Sequence, residues 1–325
     1  PVLKTGDGQP SVSSNLTASA TTRRHHPHPR RMFRQAAAAF AVVLCCASPA
    51  TAKAALDLDA PWDFGRPAVS EQRFRAALAQ AQGDDALILR TQIARSLGLR
   101  RDFDGARREL TAIAPALAQA GAEARVRHAL EWGRSHSSAV HPPATQTDAA
   151  RAEARQAFTR AAQVARDAGL DALAVDALPM MAFVDTAPAQ QVAWNRQALA
   201  LALASTQPAA RRWEASLRNN LGLSLHELGR YQEALDEFRR LVALREAAAR
   251  PERARQARWM VAWTLRSMGR MDEALDMQLA LERDNEAAGT PDRFVFDELA
   301  ALYRARGDAQ RAEHYAARRA ALAKD

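Results

Sequence analysis

Histidine, cysteine and acidic side chains are the groups whose spacing can announce a reaction, and in this chain they do not assemble one. His128, His136 and His141 are the nearest approach to a metal cluster, but no acid-histidine spacing completes a ligand set of the kind a zinc ion takes. His226 stands beside Glu227 without the nucleophile and orienting group that a general base would serve. There is no glycine-rich phosphate loop followed by Lys and Ser or Thr, no G-x-S-x-G elbow and no H-E-x-x-H pair. Asp and Glu are plentiful, yet they fall three or four residues from Arg, the offset of ion pairs on a solvated helix surface. The 2 cysteines, Cys45 and Cys46, lie together in an apolar run, so the chain beyond them has no disulfide, thiolate metal site or cysteine nucleophile. The expectation is a protein that is not an enzyme, with no catalytic residue, metal or cofactor.

The elements that would position side chains are helices. Alanine is abundant, aromatics make up only 6% and no alternating strand pattern occurs, which favours closely packed helices over sheets. The clearest stretch runs from Ala215 to Leu244. Leu217, Leu221, Leu225 and Leu228 form one apolar stripe, Gly229 ends that helix, and Ala234, Leu235, Phe238 and Leu241 form a second stripe. So short a turn makes the two helices antiparallel. Gly222 and Ala234, 12 residues apart, would mark their closest approach, with Leu221 and Phe238 filling the sides. The same spacing recurs as Ala94 and Ala106, Ala262 and Ala274, and Ala300 and Ala312. Further pairs are expected at 86–99 with 103–118, 122–136 with 148–168, 172–184 with 189–204, 255–268 with 271–285, and 293–306 with 309–322. Pro179 would kink its helix. Repetition of this kind makes a solenoid.

The net charge of +8 is unevenly spread. Residues 1–54 carry seven basic side chains against Asp7, leaving 38 basic and 36 acidic residues in the remainder, an interspersed and nearly neutral surface that argues against nucleic-acid binding. Residues 1–31 read as disordered. From Met32, a short basic start, an apolar run over 36–47 and small-x-small sites near Ala50 and Ala52 have the layout of a cleaved export signal. The run is too short to span a bilayer, which takes about 20 apolar residues. Partial twin-arginine and organelle-transit readings of the same segment place it outside the fold as well, and Leu44 before the cysteines argues against a lipid anchor. The domain expectation is therefore a leader over 1–54, an extended arm over 55–69 and a helical solenoid over 70–325. Trp62 and Phe64 in the arm would cap the open end of the core, or dock a partner.

Leu221, Gly222, Ala234 and Phe238 together make the pattern resemble the tetratricopeptide repeat. The turn glycines Gly229, Gly269 and Gly307 are 40 and 38 residues apart, against about 34 in the usual repeat, so the likeness is to a long-repeat variant. Trp62-Asp63-Phe64 followed by Ser70, Glu71, Arg73, Phe74 and Arg75 also resembles the N-terminal entry of bacterial tetratricopeptide proteins. The resemblance implies an all-α, right-handed α-solenoid of about six antiparallel helix pairs plus a leading helix. It implies too that the first helix of each pair lines a concave groove. The family's ligand-facing positions carry over onto Thr91, Gln92 and Arg95; Asn219, Asn220 and Leu223; Trp259, Met260 and Trp263; and Asp297, Glu298 and Ala301, with Glu131, Arg134, Asp176 and Met180 from looser repeats. Asn220 matches a position where peptide-binding members place an asparagine, but the family's two-carboxylate clamp is not reproduced.

Trp259 and Trp263, one turn apart beside Met260, would form an aromatic floor for an apolar or proline-containing segment, or else be buried in the core. Arg95, Arg134, Arg266 and Arg304 would meet acidic groups of a partner. The candidate groove residues are thus Arg95, Arg134, Asn219, Asn220, Trp259, Met260, Trp263, Arg266, Glu298 and Arg304. The function expected is a non-catalytic scaffold for a protein or peptide segment, exported to the periplasm or secreted, with no nucleic acid and no membrane span after leader cleavage. The alternative is an intracellular regulatory or sensor module for a small ligand or partner.

Overall fold

The computed structural model describes residues 56–322. The leader, its cleavage sites and both cysteines lie outside the described residues. Among the described residues, regular structure is entirely helical: α1 (Pro67–Leu78), α2 (Gly83–Leu99), α3 (Phe103–Ile113), α4 (Ala122–His136), α5 (Asp148–Asp167), α6 (Asp171–Met180), α7 (Pro188–Ala204), α8 (Pro208–Arg211), α9 (Glu214–Glu227), α10 (Tyr231–Ala247), α11 (Pro251–Ser267), α12 (Met271–Ala287), α13 (Arg293–Ala305) and α14 (Ala309–Ala321), with short 3-10 turns after α3, α4 and α6. A leading helix α1 is followed by six stacked pairs, α2/α3, α4/α5, α6/α7, α9/α10, α11/α12 and α13/α14. This is the all-α solenoid expected from the repeat.

The pairs close because small residues face large ones. A Cβ on Gly222 would come within 2.5 Å of the Phe238 ring, so the ring packs directly onto the bare helix backbone. Gly133 and Phe158 repeat this contact in α4/α5. Phe158 and Phe238 are both fully buried. The turn glycines Gly229, Gly269 and Gly307 have φ of 72°, 78° and 77°, the left-handed conformation that ends a helix. The backbone NH of each following residue then bonds the carbonyl of Leu225, Leu265 or Tyr303 at 2.9 to 3.0 Å. Arg101 makes the same turn between α2 and α3 with φ 65° and no glycine.

Three details depart from the expectation. Helix α1 begins at Pro67, not near Ser70, because proline is well placed at a first helical position. Pro179 lies one residue from the end of α6, so the helix stops and passes into a 3-10 turn where a kinked continuation had been expected. The arm is folded, not extended: Asp57 Oδ1 accepts from the backbone NH groups of Asp59 and Ala60, and turns close at Trp62 and Arg66.

One apolar core runs through α4 to α14, from Val126 to Tyr315. The first pair has its own cluster of Phe74, Leu89, Ile93, Ala94, Leu97, Ala106 and Leu110, against which Trp62 packs. A small third cluster, Ile88, Ala120 and Ala124, lies at the seam between α2 and α4 and receives Leu56 and Leu58 of the arm.

Candidate functional site

Side chains of first helices meet across α2, α4 and α6, between α9 and α11, and between α11 and α13, and the expected groove residues divide into three sets. The arginines are engaged within the chain. Arg95 of α2 donates to Glu131 Oε1 of α4 at 3.1 Å, Arg134 donates to the same oxygen at 2.6 Å, and Arg134 also pairs with Asp176 of α6. Arg266 of α11 makes two bonds to Glu298 of α13, at 2.7 and 2.9 Å. These guanidinium groups were expected to meet a partner's acids; instead the next first helix supplies the acid. Glu131 and Glu298 both stand two residues before the small residue of their helix (Gly133 and Ala300), a register visible in the sequence. Arg304 alone of the four stands exposed.

The charges in the α2/α4/α6 set are two of each sign, but they are not evenly served. Burial lowers the pKa of Arg95, and Arg134 lowers it further, with Glu131 only partly restoring it. Burial also opposes the charge on Arg134, yet Asp176 and Glu131 outweigh it and its pKa is raised. Arg95 thus shares Glu131 with Arg134, which holds Asp176 as well.

The second set is buried. Asn219 is 0% exposed and Asn220 1% exposed, so neither lies on the open face where the register had placed them. They sit on the side of α9 turned into the stack, with Asn219 Nδ2 3.4 Å from Asn220 Oδ1. Asn219 Oδ1 and Asn220 Nδ2 have no partner among the described residues. Met260 and Glu298 are buried too, the first in the core and the second beneath Arg266.

The third set is aromatic and half exposed. Trp259 and Trp263 stack with centroids 5.7 Å apart and planes 14° apart. The run continues in both directions: His226 of α9 lies on Trp263 at 3.4 Å, Tyr231 at the start of α10 lies 4.9 Å from His226, and Phe294 of α13 meets Trp259 edge-on at 6.0 Å. Five rings from three successive pairs thus form one ribbon, each half buried. His226, Tyr231 and Phe294 had not been assigned to the site. His226 follows Gly222 by four residues, the register of Arg266 after Ala262, and that signal would have found it. Tyr231 comes from a second helix and Phe294 from the first turn of α13, outside the repeat positions.

His226 is held as a neutral ring. The Ser267 hydroxyl donates to the Trp263 carbonyl and receives the His226 Nε2 proton at 3.0 Å. Burial, with Arg266 nearby, lowers the His226 pKa to about 4. Of the three histidines that came nearest to a metal cluster in the sequence, His128 Nε2 bonds the Leu110 carbonyl at 3.2 Å, His141 stacks on Phe103 while bonding the Ser135 carbonyl and Ser138 Oγ, and His136 packs near Trp132 with its Nε2 buried and unpartnered among the described residues. No three His, Cys, Asp or Glu side chains converge as a metal set among the described residues.

Residues 213–283, which span α9 to α12 and carry most of the aromatic ribbon, match the tetratricopeptide repeat family. Those two helix pairs are tetratricopeptide repeats. No curated protein matches the chain in sequence. Among solved structures, it is similar to a signal-transduction ATPase with a tetratricopeptide repeat sensor from Pyrococcus horikoshii, at 12% identity and TM-score 0.61 over 79% of this chain. That likeness covers only 39% of the archaeal protein. The apo form of RapI aligns at 10% identity and TM-score 0.61, over 78% of this chain and 69% of RapI. BtubC from P. vanneervenii aligns at 16% identity and TM-score 0.56, over 69% of this chain and 91% of BtubC. At these identities the likeness is one of fold. No helix among the described residues is long and apolar enough to cross a membrane.

Proposed function

We propose that the chain is a non-catalytic scaffold whose tetratricopeptide groove binds a protein or peptide segment, and that the aromatic ribbon of His226, Tyr231, Trp259, Trp263 and Phe294 is its main docking element. The observation that carries this reading is the ribbon itself. Five half-exposed rings contributed by three successive pairs form one continuous aromatic strip, while Arg95, Arg134 and Arg266 are occupied by Glu131, Asp176 and Glu298. A partner would therefore be recognised mainly by ring stacking, through proline, aromatic or aliphatic side chains of an exposed segment.

The test is a random-peptide selection on the wild-type chain, followed by affinity measurement on the Trp259→Ala/Trp263→Ala variant. Loss of both rings is expected to weaken selected peptides by roughly 30-fold or more, the scale of an interface hot spot. Undiminished binding would refute the ribbon as the site. We further propose export, supported by the signal-like layout from Met32 to Ala54; an uncut N-terminus on protein recovered from the cytosol would overturn it.

A further inference from the structure

The acids two residues before the small residue of α4 and α13 are each satisfied by an arginine from the preceding first helix. In the first pair that position is Gln92, and no first helix precedes it among the described residues. The arm takes the vacant place: Trp62 Nε1 donates to Gln92 Oε1 at 3.2 Å. The same indole stacks on Phe64 at 4.6 Å, meets Phe74 edge-on at 5.0 Å and lies 5.9 Å from the Arg95 guanidinium. Leu56 and Leu58 cover the seam between α2 and α4, and Asp59 reaches Arg212, at the entrance to α9, at 3.9 Å. The arm thus runs over the inner-face positions of the first pair and touches the edge of the fourth.

This attachment is slight. No residue from Leu56 to Phe64 is fully buried. Between residues 56–62 and the helices, the polar ties are the Gln92 bond, a 3.4 Å bond from Arg73 to the Pro61 carbonyl, and the exposed Asp59–Arg212 pair. Segments with few buried contacts open independently of the body they lie on. Ser70, which exchanges hydrogen bonds with the backbone NH and carbonyl of Asp63, is the hinge that would keep the arm tethered. Beneath Trp62 lies Arg95, the one cation of the inner-face ladder that shares its acid with a closer competitor. Arg95 donates to the shared Glu131 at 3.1 Å and lies 5.9 Å from the Trp62 ring, which leaves guanidinium donors for a carboxylate that takes the indole's place.

We propose that residues 56–64 are a tethered occupant of an inner-face site formed by Gln92, Arg95 and the α2/α4 seam, and that an acidic partner segment bearing an aromatic anchor displaces it. The occupant displays the anchors the site accepts, Leu56, Leu58 and Trp62. Its acids are engaged elsewhere, Asp57 by the Asp59 and Ala60 amides, Asp63 by Arg66 and Asp59 by Arg212, so a displacing partner brings its own carboxylate to Arg95. This rests on the groove-binding reading but uses the opposite end of the groove from the aromatic ribbon, so the two can fail separately.

The probe is a fluorescein-labelled peptide with the sequence of residues 56–66, titrated by anisotropy against the full chain. The Trp62→Ala chain is expected to bind it saturably, the wild type about ten-fold more weakly because the arm competes, and the Trp62→Ala/Arg95→Met chain not measurably. The Trp259→Ala/Trp263→Ala/Trp62→Ala chain is expected to bind like Trp62→Ala alone, which separates this site from the ribbon. Equal binding to wild type and Trp62→Ala, or none to a Trp62→Ala chain of wild-type helicity, would overturn the proposal. Hydrogen exchange on the unmodified chain decides the matter even if that variant unfolds. The Trp62 amide should exchange far faster than the amides of α1 and α2, whereas equal protection would mark the arm as a fixed cap.

Discussion

Replacing Glu131 by glutamine tests whether the inner face is held by charge. The Glu131 side chain is 5% exposed, with Arg95 and Arg134 beside it at 15% and 12%. Glutamine keeps the size and one acceptor oxygen but removes the charge, leaving two guanidinium groups against Asp176 alone. Arg134 retains that acid; Arg95 retains none. Removing one partner from a buried pair typically costs about 3–5 kcal/mol because the remaining charge is stranded, and the lower end, about 3 kcal/mol, suits a site at the groove surface. For a solenoid of this size that corresponds to a fall in Tm of roughly 6–10 °C. The paired control is Glu298→Gln. Its guanidinium partner, Arg266, is 30% exposed and able to turn into water, so the cost there should be about 1 kcal/mol. Thermal and urea unfolding followed by circular dichroism give the comparison. Hydrogen exchange in α2, α4 and α6 localises it, since repeat proteins do not unfold strictly as one unit. An Arg95→Met/Glu131→Met chain should be less destabilised than Glu131→Gln, because no charge is left without its partner. If Glu131→Gln costs no more than Glu298→Gln, Arg95 escapes to solvent and the ladder is not structural.

Two further outcomes follow from particular contacts. Gly222→Ala would gain about 1 kcal/mol of helix propensity in an unpacked helix, but its methyl would fall 2.5 Å from the fully buried Phe238 ring. A net loss of about 1–3 kcal/mol in urea unfolding is therefore expected, and a gain would show that α9 and α10 can move apart. His226 has a folded pKa near 4, below the 6.5 of a free imidazole, so its contribution to stability is complete above pH 6.5 and is lost as pH falls from 6.5 toward 4. With solvent screening at a half-exposed ring the effect is on the order of 1 kcal/mol. Titration of the His226 ring by NMR should give a midpoint well below 6, and a midpoint at or above 6.5 would contradict the stacked, Arg266-facing ring.

The sequence by itself determined the solenoid. Small residues 12 apart, apolar stripes at helical spacing and glycines at the turns are local rules, each satisfied within one pair. Helix α4 was legible to the residue, and six pairs after a leading helix were countable. What needed the tertiary structure was every property that arises between pairs. Arg95, Arg134 and Arg266 read as free groove cations until the next first helix was seen to present Glu131, Asp176 and Glu298 to them. Asn219 and Asn220 read as groove residues from register alone, but exposure depends on what the neighbouring helices cover, and both are buried. Trp259 and Trp263 were identifiable as a stacked couple because they share a helix. Their extension through His226, Tyr231 and Phe294 was not, because those rings come from other helices and meet only when the pairs stack. Short-range spacing fixes which face of a helix a side chain occupies; the superhelical stagger decides what that face meets.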